Sequence, residues 1–240
     1  LDPKDFAEPT LAAFVKHLRR DRGLTQVQLS LEVHKGRRYI EKLEQGTDDV
    51  SDDVLHDLTN ALRLNDHERA HLKALAGRPS RGLNEVAAVD DIAILIERLA
   101  PMPAAWLVDW RIEALNDGYR ELMPGLAEAR SLPHWLFNDA RSHLVLPDWQ
   151  LEAAVVTGLM RHLLAVAGGR GSTGDVVREL LVVPEFRRLW ESGVVYTRRP
   201  YENRRVWMPR TGTMRVIRES LIPVSTVGLL IIGFPVAGIA

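Results

Sequence analysis

Apolar residues recur at helical spacing through the first third of the chain. Leu11, Phe14, Val15 and Leu18 form one stripe, closed by Gly23. Thr25 reads as the N-cap of a second helix whose inward positions are Leu29 and Val33. A third helix is expected over 36–45, with Gly46 as the residue that stops it. Ser51 caps a fourth, with Val54, Leu55, Leu58 and Leu62 on one face. Asn65 caps a fifth over 66–76, where Glu68 completes a capping box and Leu72 and Leu75 point inward. No strand pattern interrupts this unit.

Beyond residue 80 the pattern changes. A helix is expected over 89–99, apolar at Ile92, Leu95, Ile96 and Leu99 and stopped by Pro101 and Pro103. The stretch AAWLVDWRIEALND (104–117) reads as two short strands, and GYRELMP (118–124) as a helix or turn. An apolar helix over 148–167 leads into a Gly-rich loop, AGGRGSTG (167–174), and a further helix over 175–190. Four strand-like runs follow, at 194–199, 205–210, 213–219 and 226–234. Helices beside an antiparallel sheet make this half α+β, after an all-α first half. The Gly, Pro and Ser of AGRPSRGLN (76–84) mark the join. The expected division is a head over 1–77, a linker over 78–88 and a second domain over 89–240.

Residues 221–240 are apolar over nearly the length of a membrane span. Pro223, Ser225, Thr226 and Pro235 interrupt them, and the β-branched run 226–232 reads as a buried strand, so no membrane partner is expected. The opening LDPKDFAEPT has no apolar core and does not read as a signal peptide. With no cysteine, disulfides, thiolate zinc sites, cysteine nucleophiles and flavin–cysteine adducts are excluded, which suits a reducing, cytoplasmic setting. The net charge of −1 supplies no global attraction to nucleic acid, so any basic surface must be local.

One such surface is VHKGRRYIEKLEQG (33–46). At 100° per residue, Ile40, Leu43 and Glu44 share one side of a helix. Arg38, Glu41, Lys42 and Gln45 fall opposite, with Arg37 at the N-terminal edge. A capped helix ends one short turn earlier, inside a compact helical unit. That is the helix-turn-helix arrangement, in which the second helix enters the major groove.

LTQVQLSLEVHKGRRYIEKLEQG (24–46) resembles the helix-turn-helix of the lambda repressor and Cro-like class, the XRE family, through Thr25, Gln26, Leu29, Ile40, Glu44 and Gly46. The resemblance implies double-stranded DNA as partner, a palindromic operator and a homodimer. It places Arg37, Arg38 and Lys42 on base edges and Gln26 on a phosphate; outside what it implies, Lys35 is a further phosphate candidate and Glu41 shares the outward face of the helix. It also implies a structural ion pair between Arg19 and Glu44. The turn departs from the family pattern: His34 stands for its Gly, Lys35 for its buried Val and Gly36 for its capping Ser. Lys35 is expected to bury its stem and send its amine out.

LRLNDHERAHLKALAG (62–77), WRIEALNDGYREL (110–122), LPHWLFNDARSHLVLPDW (132–149) and VPEFRRLWESGV (183–194) resemble bacterial regulators that join such a head to a MmyB-like ligand-binding domain. That resemblance implies a PAS-like sensor and a small hydrophobic effector, fatty-acid-like or secondary-metabolite-like. Candidate ligand residues are Trp106, Asn116, Trp135, Phe137, Arg141 and Trp190, with His134 as a further polar group. In WMPRTG (207–212), Met208 replaces the His of the family's His-Pro-x-x-Gly feature.

No G-x-S-x-G, H-E-x-x-H or P-loop occurs, so no enzyme is expected. No acidic residue completes a metal set around His134 and His143, and neither metal nor cofactor is expected; haem through His134, His143 or His162 is the residual option. The competing functional reading is a protein-interaction module with a degenerate head and a structural C-terminal platform.

Overall fold

In a computed structural model, the described residues are 9–47, 50–77, 89–167, 172–224 and 228–236. The expected linker and the Gly168–Gly171 part of the Gly-rich loop fall outside them. The head is built from α1 (Leu11–Asp21), α2 (Gln26–Glu32), α3 (Arg37–Gln45), α4 (Asp52–Ala61) and α5 (Asp66–Leu75). Thr10, Thr25, Ser51 and Asn65 each accept a backbone N–H of the first turn of the helix that follows. Thr25 and Asn65 close capping boxes with Gln28 and Glu68. The stripes meet in one core of Phe14, Val15, Leu29, Ile40, Leu58 and Leu72.

The second domain runs α6 (Val89–Arg98), β1 (Ala104–Val108), β2 (Arg111–Leu115), α7 (Asp117–Leu122), α8 (Leu132–Asn138), α9 (Ala140–Val145), α10 (Trp149–Ala167), α11 (Thr173–Leu180), α12 (Pro184–Glu191), β3 (Asn203–Met208), β4 (Thr213–Pro223) and β5 (Gly228–Pro235). The strands form one antiparallel sheet in the order β2-β1-β5-β4-β3, the PAS-like sheet with helices packed on it. The β1–β2 hairpin turns on Asp109 (φ 49°) and Trp110 (φ 71°), both left-handed, which fits the twist of a two-residue loop.

Strand alternation divides the sheet's two faces. Ala104 and Trp106 pack under α6 with Ile92 and Ile96. Ala105, Leu107, Ile217 and Ile231 face the large core formed with the later helices.

Three expected elements differ. The run 194–199 is not a strand; the third strand starts only at Asn203. The single helix expected over 175–190 is two helices, because Pro184 lacks the N–H that a continuous helix needs and instead opens α12. Thr173 and Gly174, expected in a loop, belong to the first turn of α11.

The head docks on the second domain through α5 and α10. The His71 and His162 Nδ1 atoms lie 3.3 Å apart across this seam, and the Phe14 ring meets His71 edge-on with centroids 4.8 Å apart. Val195 inserts into the head core, and the Thr197 N–H donates to His67 Nδ1 at 3.2 Å.

Candidate functional site

Helix α3 has two chemically distinct sides. Ile40, Leu43 and Glu44 are buried, while Arg37, Arg38, Lys42 and Gln45 are exposed. Glu41 is half-buried, and Arg37 Nε donates to its Oε1 at 2.7 Å one turn along. The helix ends at Gly46, whose left-handed backbone (φ 76°) lets its N–H reach the closing carbonyls.

The turn before α3 carries the unusual residues. His34 takes the left-handed conformation (φ 52°) that its position demands, where L side chains are strained. Gly36 has the extended backbone of an N-cap but offers no side-chain acceptor. Lys35 does not bury its stem: it is exposed, with Nζ 5.9 Å from the Tyr39 ring centroid. Val33 already fills the buried place beneath the turn.

Beneath α3, Arg19 and Glu44 form a two-point ion pair, Nε to Oε1 at 2.5 Å and Nη2 to Oε2 at 3.0 Å. Arg19 Nη1 also donates to the Leu24 carbonyl, and Gln26 Nε2 donates to Glu44 Oε2 at 3.0 Å. One carboxylate thus ties α1, α2 and α3 together. Burial alone would raise the Glu44 pKa; the donors Arg19 and Gln26 outweigh it and hold the pKa below the usual range.

The candidate ligand residues do not converge. Trp106 is fully buried on the α6 side of the sheet, and its Nε1 has no partner among the described residues. Trp135, Phe137 and Trp190 lie in the large core on the other side. Trp135 Nε1 donates to the Pro124 carbonyl, and Phe137 and Trp190 both pack on Phe186. Asn116 is filled by protein: Oδ1 accepts from Ala104 and Tyr119, and Nδ2 donates to the Ile96 and Met102 carbonyls. Arg141 is exposed and paired with Asp139 at 2.7 Å.

The three histidines considered as haem ligands have separate neighbours. His134 sits between Ser131 and Glu179, the His143 ring stacks on Trp149 at 4.0 Å, and His162 faces His71. Met208, in the position of the family's His, is buried core.

A cavity of about 940 Å³ opens between α8–α9 and the start of α10, walled by Phe137, Pro147, Trp149, Leu151 and Ala154, with His143 and Glu185 among its polar groups. It is an open groove of mixed lining, in which Asp148, Gln150, His143 and Glu185 stand beside the five apolar residues. Of the candidate ligand residues only Phe137 lines it.

Sequence reasoning missed a buried ionic ring. Glu152 of α10 accepts from Arg199 and Arg204, and Glu219 of β4 pairs with the same two guanidiniums. Tyr119 donates to Glu219 and Tyr201 to Glu152. Burial would raise the Glu152 pKa, yet Arg204 and Arg199 bring it down to about 2. The signal was present in strand phase. Arg204 shares the inward positions of β3 with Val206 and Met208, and Glu219 those of β4 with Ile217.

Two family models match the chain. A helix-turn-helix domain matches residues 10–72, and the MmyB-like transcription regulator ligand binding domain matches residues 88–238. No curated protein matches it. With a DNA-binding head on one side of the seam and this ligand-binding domain on the other, the chain belongs to the MmyB-like transcription regulators.

Proposed function

We propose that the protein is a cytoplasmic regulator that binds a palindromic site on double-stranded DNA as a homodimer and responds to a small hydrophobic effector. The division of α3 carries this reading: a pinned inner face beneath an outer face of Arg37, Arg38, Glu41 and Lys42. Each arginine offers a planar fork to guanine O6 and N7. Glu41 orients Arg37, and Lys42 continues the basic face one turn on. Lys35, exposed in the turn, reaches a phosphate, and Gln26 keeps its second amide hydrogen for another.

The cavity beside Phe137 and Trp149 receives the apolar body of the effector. Helix α10 lines that cavity with Trp149, Leu151 and Ala154 and packs on α5 of the head through its later turns. Effector binding therefore acts on a helix that also holds the head, which is the differential contact a population shift requires.

Selection from a random double-stranded DNA library tests the DNA reading. The expected motif is an inverted repeat with half-sites roughly 34 Å apart. No enriched motif and no salt-dependent binding would favour the protein-interaction alternative. Native mass spectrometry of protein purified from cells tests the dimer and the effector together.

A further inference from the structure

The seam between head and sensor holds a second cleft, of about 460 Å³, with a more polar lining than the first. His67 of α5 forms its head side. The segment 198–202 and strand β4 form its sensor side, presenting Arg198, Arg199, Glu202, Arg218 and Glu219.

The donors in this cleft exceed the acceptors. Glu219 is engaged by Arg204, Arg199 and Tyr119, and exposed Glu202 meets Arg218 only at 3.4 Å. Arg198 has no ion-pair partner among the described residues. The Arg199 guanidinium beneath the cleft is held by Glu152 and Glu219, which leaves Arg198 and Arg218 as the exposed cations at its surface. His67 Nδ1 accepts the Thr197 N–H at 3.2 Å, so the neutral ring carries its proton on Nε2, a further donor. A guanidinium fork matches an oxyanion.

We propose that this seam cleft binds a small oxyanion, the phosphate or carboxylate group of a metabolite, between His67, Arg198 and Arg218. The anion pairs with the exposed Arg198 and Arg218, displaces Glu202 from Arg218 and bridges head to sensor through His67. The site lies apart from the effector cavity and does not depend on how α3 reads DNA.

The test is thermal unfolding of the full chain in inorganic phosphate, in succinate, and in sodium chloride at matched ionic strength. At 10 mM, with millimolar affinity, phosphate should raise Tm by about 3 °C over chloride. Succinate does the same if the cleft reads carboxylates, and fails to if it reads phosphate alone. The rise should vanish in R198Q/R218Q, whose replaced side chains are exposed, and persist in R111Q on the far edge strand. Two results would overturn the proposal: neither anion exceeding chloride, or a rise that survives in R198Q/R218Q.

Discussion

Arg19 and Glu44 meet as parallel forks beneath the recognition helix, 2.5 Å and 3.0 Å apart at their two contacts, with both side chains nearly out of solvent. Removing one partner strands the other as an uncompensated buried charge. Arg19→Ala should therefore cost the protein about 3 kcal/mol, measured by urea unfolding. Because the folded Glu44 pKa lies below its unfolded value, this stability is present above the unfolded pKa and is lost as pH falls through the folded one. A weaker acid dependence in Glu44→Gln than in the parent would agree; an unchanged one would place the acid sensitivity elsewhere.

Arg38→Ala should weaken specific DNA binding by about 1–3 kcal/mol and relax the base preference at one position. Lys35→Ala should weaken all sequences alike and lower the salt slope by about 1. Anisotropy titrations at several salt concentrations separate the two. If Arg38→Ala left the sequence preference intact, α3 would not be the reading helix.

The turn between α2 and α3 is open to improvement. His34 holds a left-handed backbone at a cost of about 1–2 kcal/mol, which Gly avoids at some entropic expense. His34→Gly should raise stability by roughly 0.5–1 kcal/mol. A Cβ on Gly36 would meet nothing within 4 Å, so Gly36→Ser should add a few tenths of a kcal/mol by capping α3. Thermal melts of both variants check this, and a loss in either would contradict the geometry of the turn.

The head was legible because its helices carry their own punctuation. Thr25, Ser51 and Asn65 cap the helices that follow them, and Gly46 ends α3. The strands β1 and β5 were legible as short apolar runs covered on both faces, with no exposed position from Ala104 to Val108 or from Gly228 to Gly233. The run 194–199 misled because β-branched residues there pack singly: Val195 enters the head core and Thr197 meets His67. The aromatic candidates were chosen by residue type, which cannot say which face of a sheet a side chain takes. Trp106 lies on one face, and Trp135, Phe137 and Trp190 lie on the other. The ionic ring joins α10 to β3 and β4, a distance in sequence that no local pattern spans.

That ring makes a prediction of its own. Arg204 is held by Glu152 and Glu219 together, so Arg204→Met leaves two buried carboxylates with only Arg199 between them. Loss of about 3–5 kcal/mol is expected, with the sensor failing to fold cooperatively at neutral pH. Because Glu152 titrates at about 2 in the folded protein, the parent keeps this ring charged well below the pH at which an ordinary carboxylate protonates. Circular dichroism across pH 7 to 3 separates parent from variant; coincident curves would mean that the ring contributes little.

The seam should be the acid-labile joint of the molecule. His71 is fully buried against Phe14, and His162 faces it from α10. Burial, with each ring's charged neighbours, lowers their pKa values to about 3 and about 4. Both rings are therefore neutral in the folded state, while the unfolded chain takes up protons below about pH 6.5. The unfolded state binds more protons in this window, so stability falls as pH drops from about 6.5 toward 4, by about 1.4 kcal/mol per pH unit for each histidine. Nothing in this contribution changes above pH 6.5, where both states are neutral. His162→Gln removes one titrating ring and keeps a polar group at the seam, so the slope of stability between pH 6 and 4.5 should fall by about 1 kcal/mol per pH unit. Urea unfolding at four pH values in that range measures it. A parent whose stability is flat between pH 6.5 and 4.5 would show that the two rings are not held neutral at the seam.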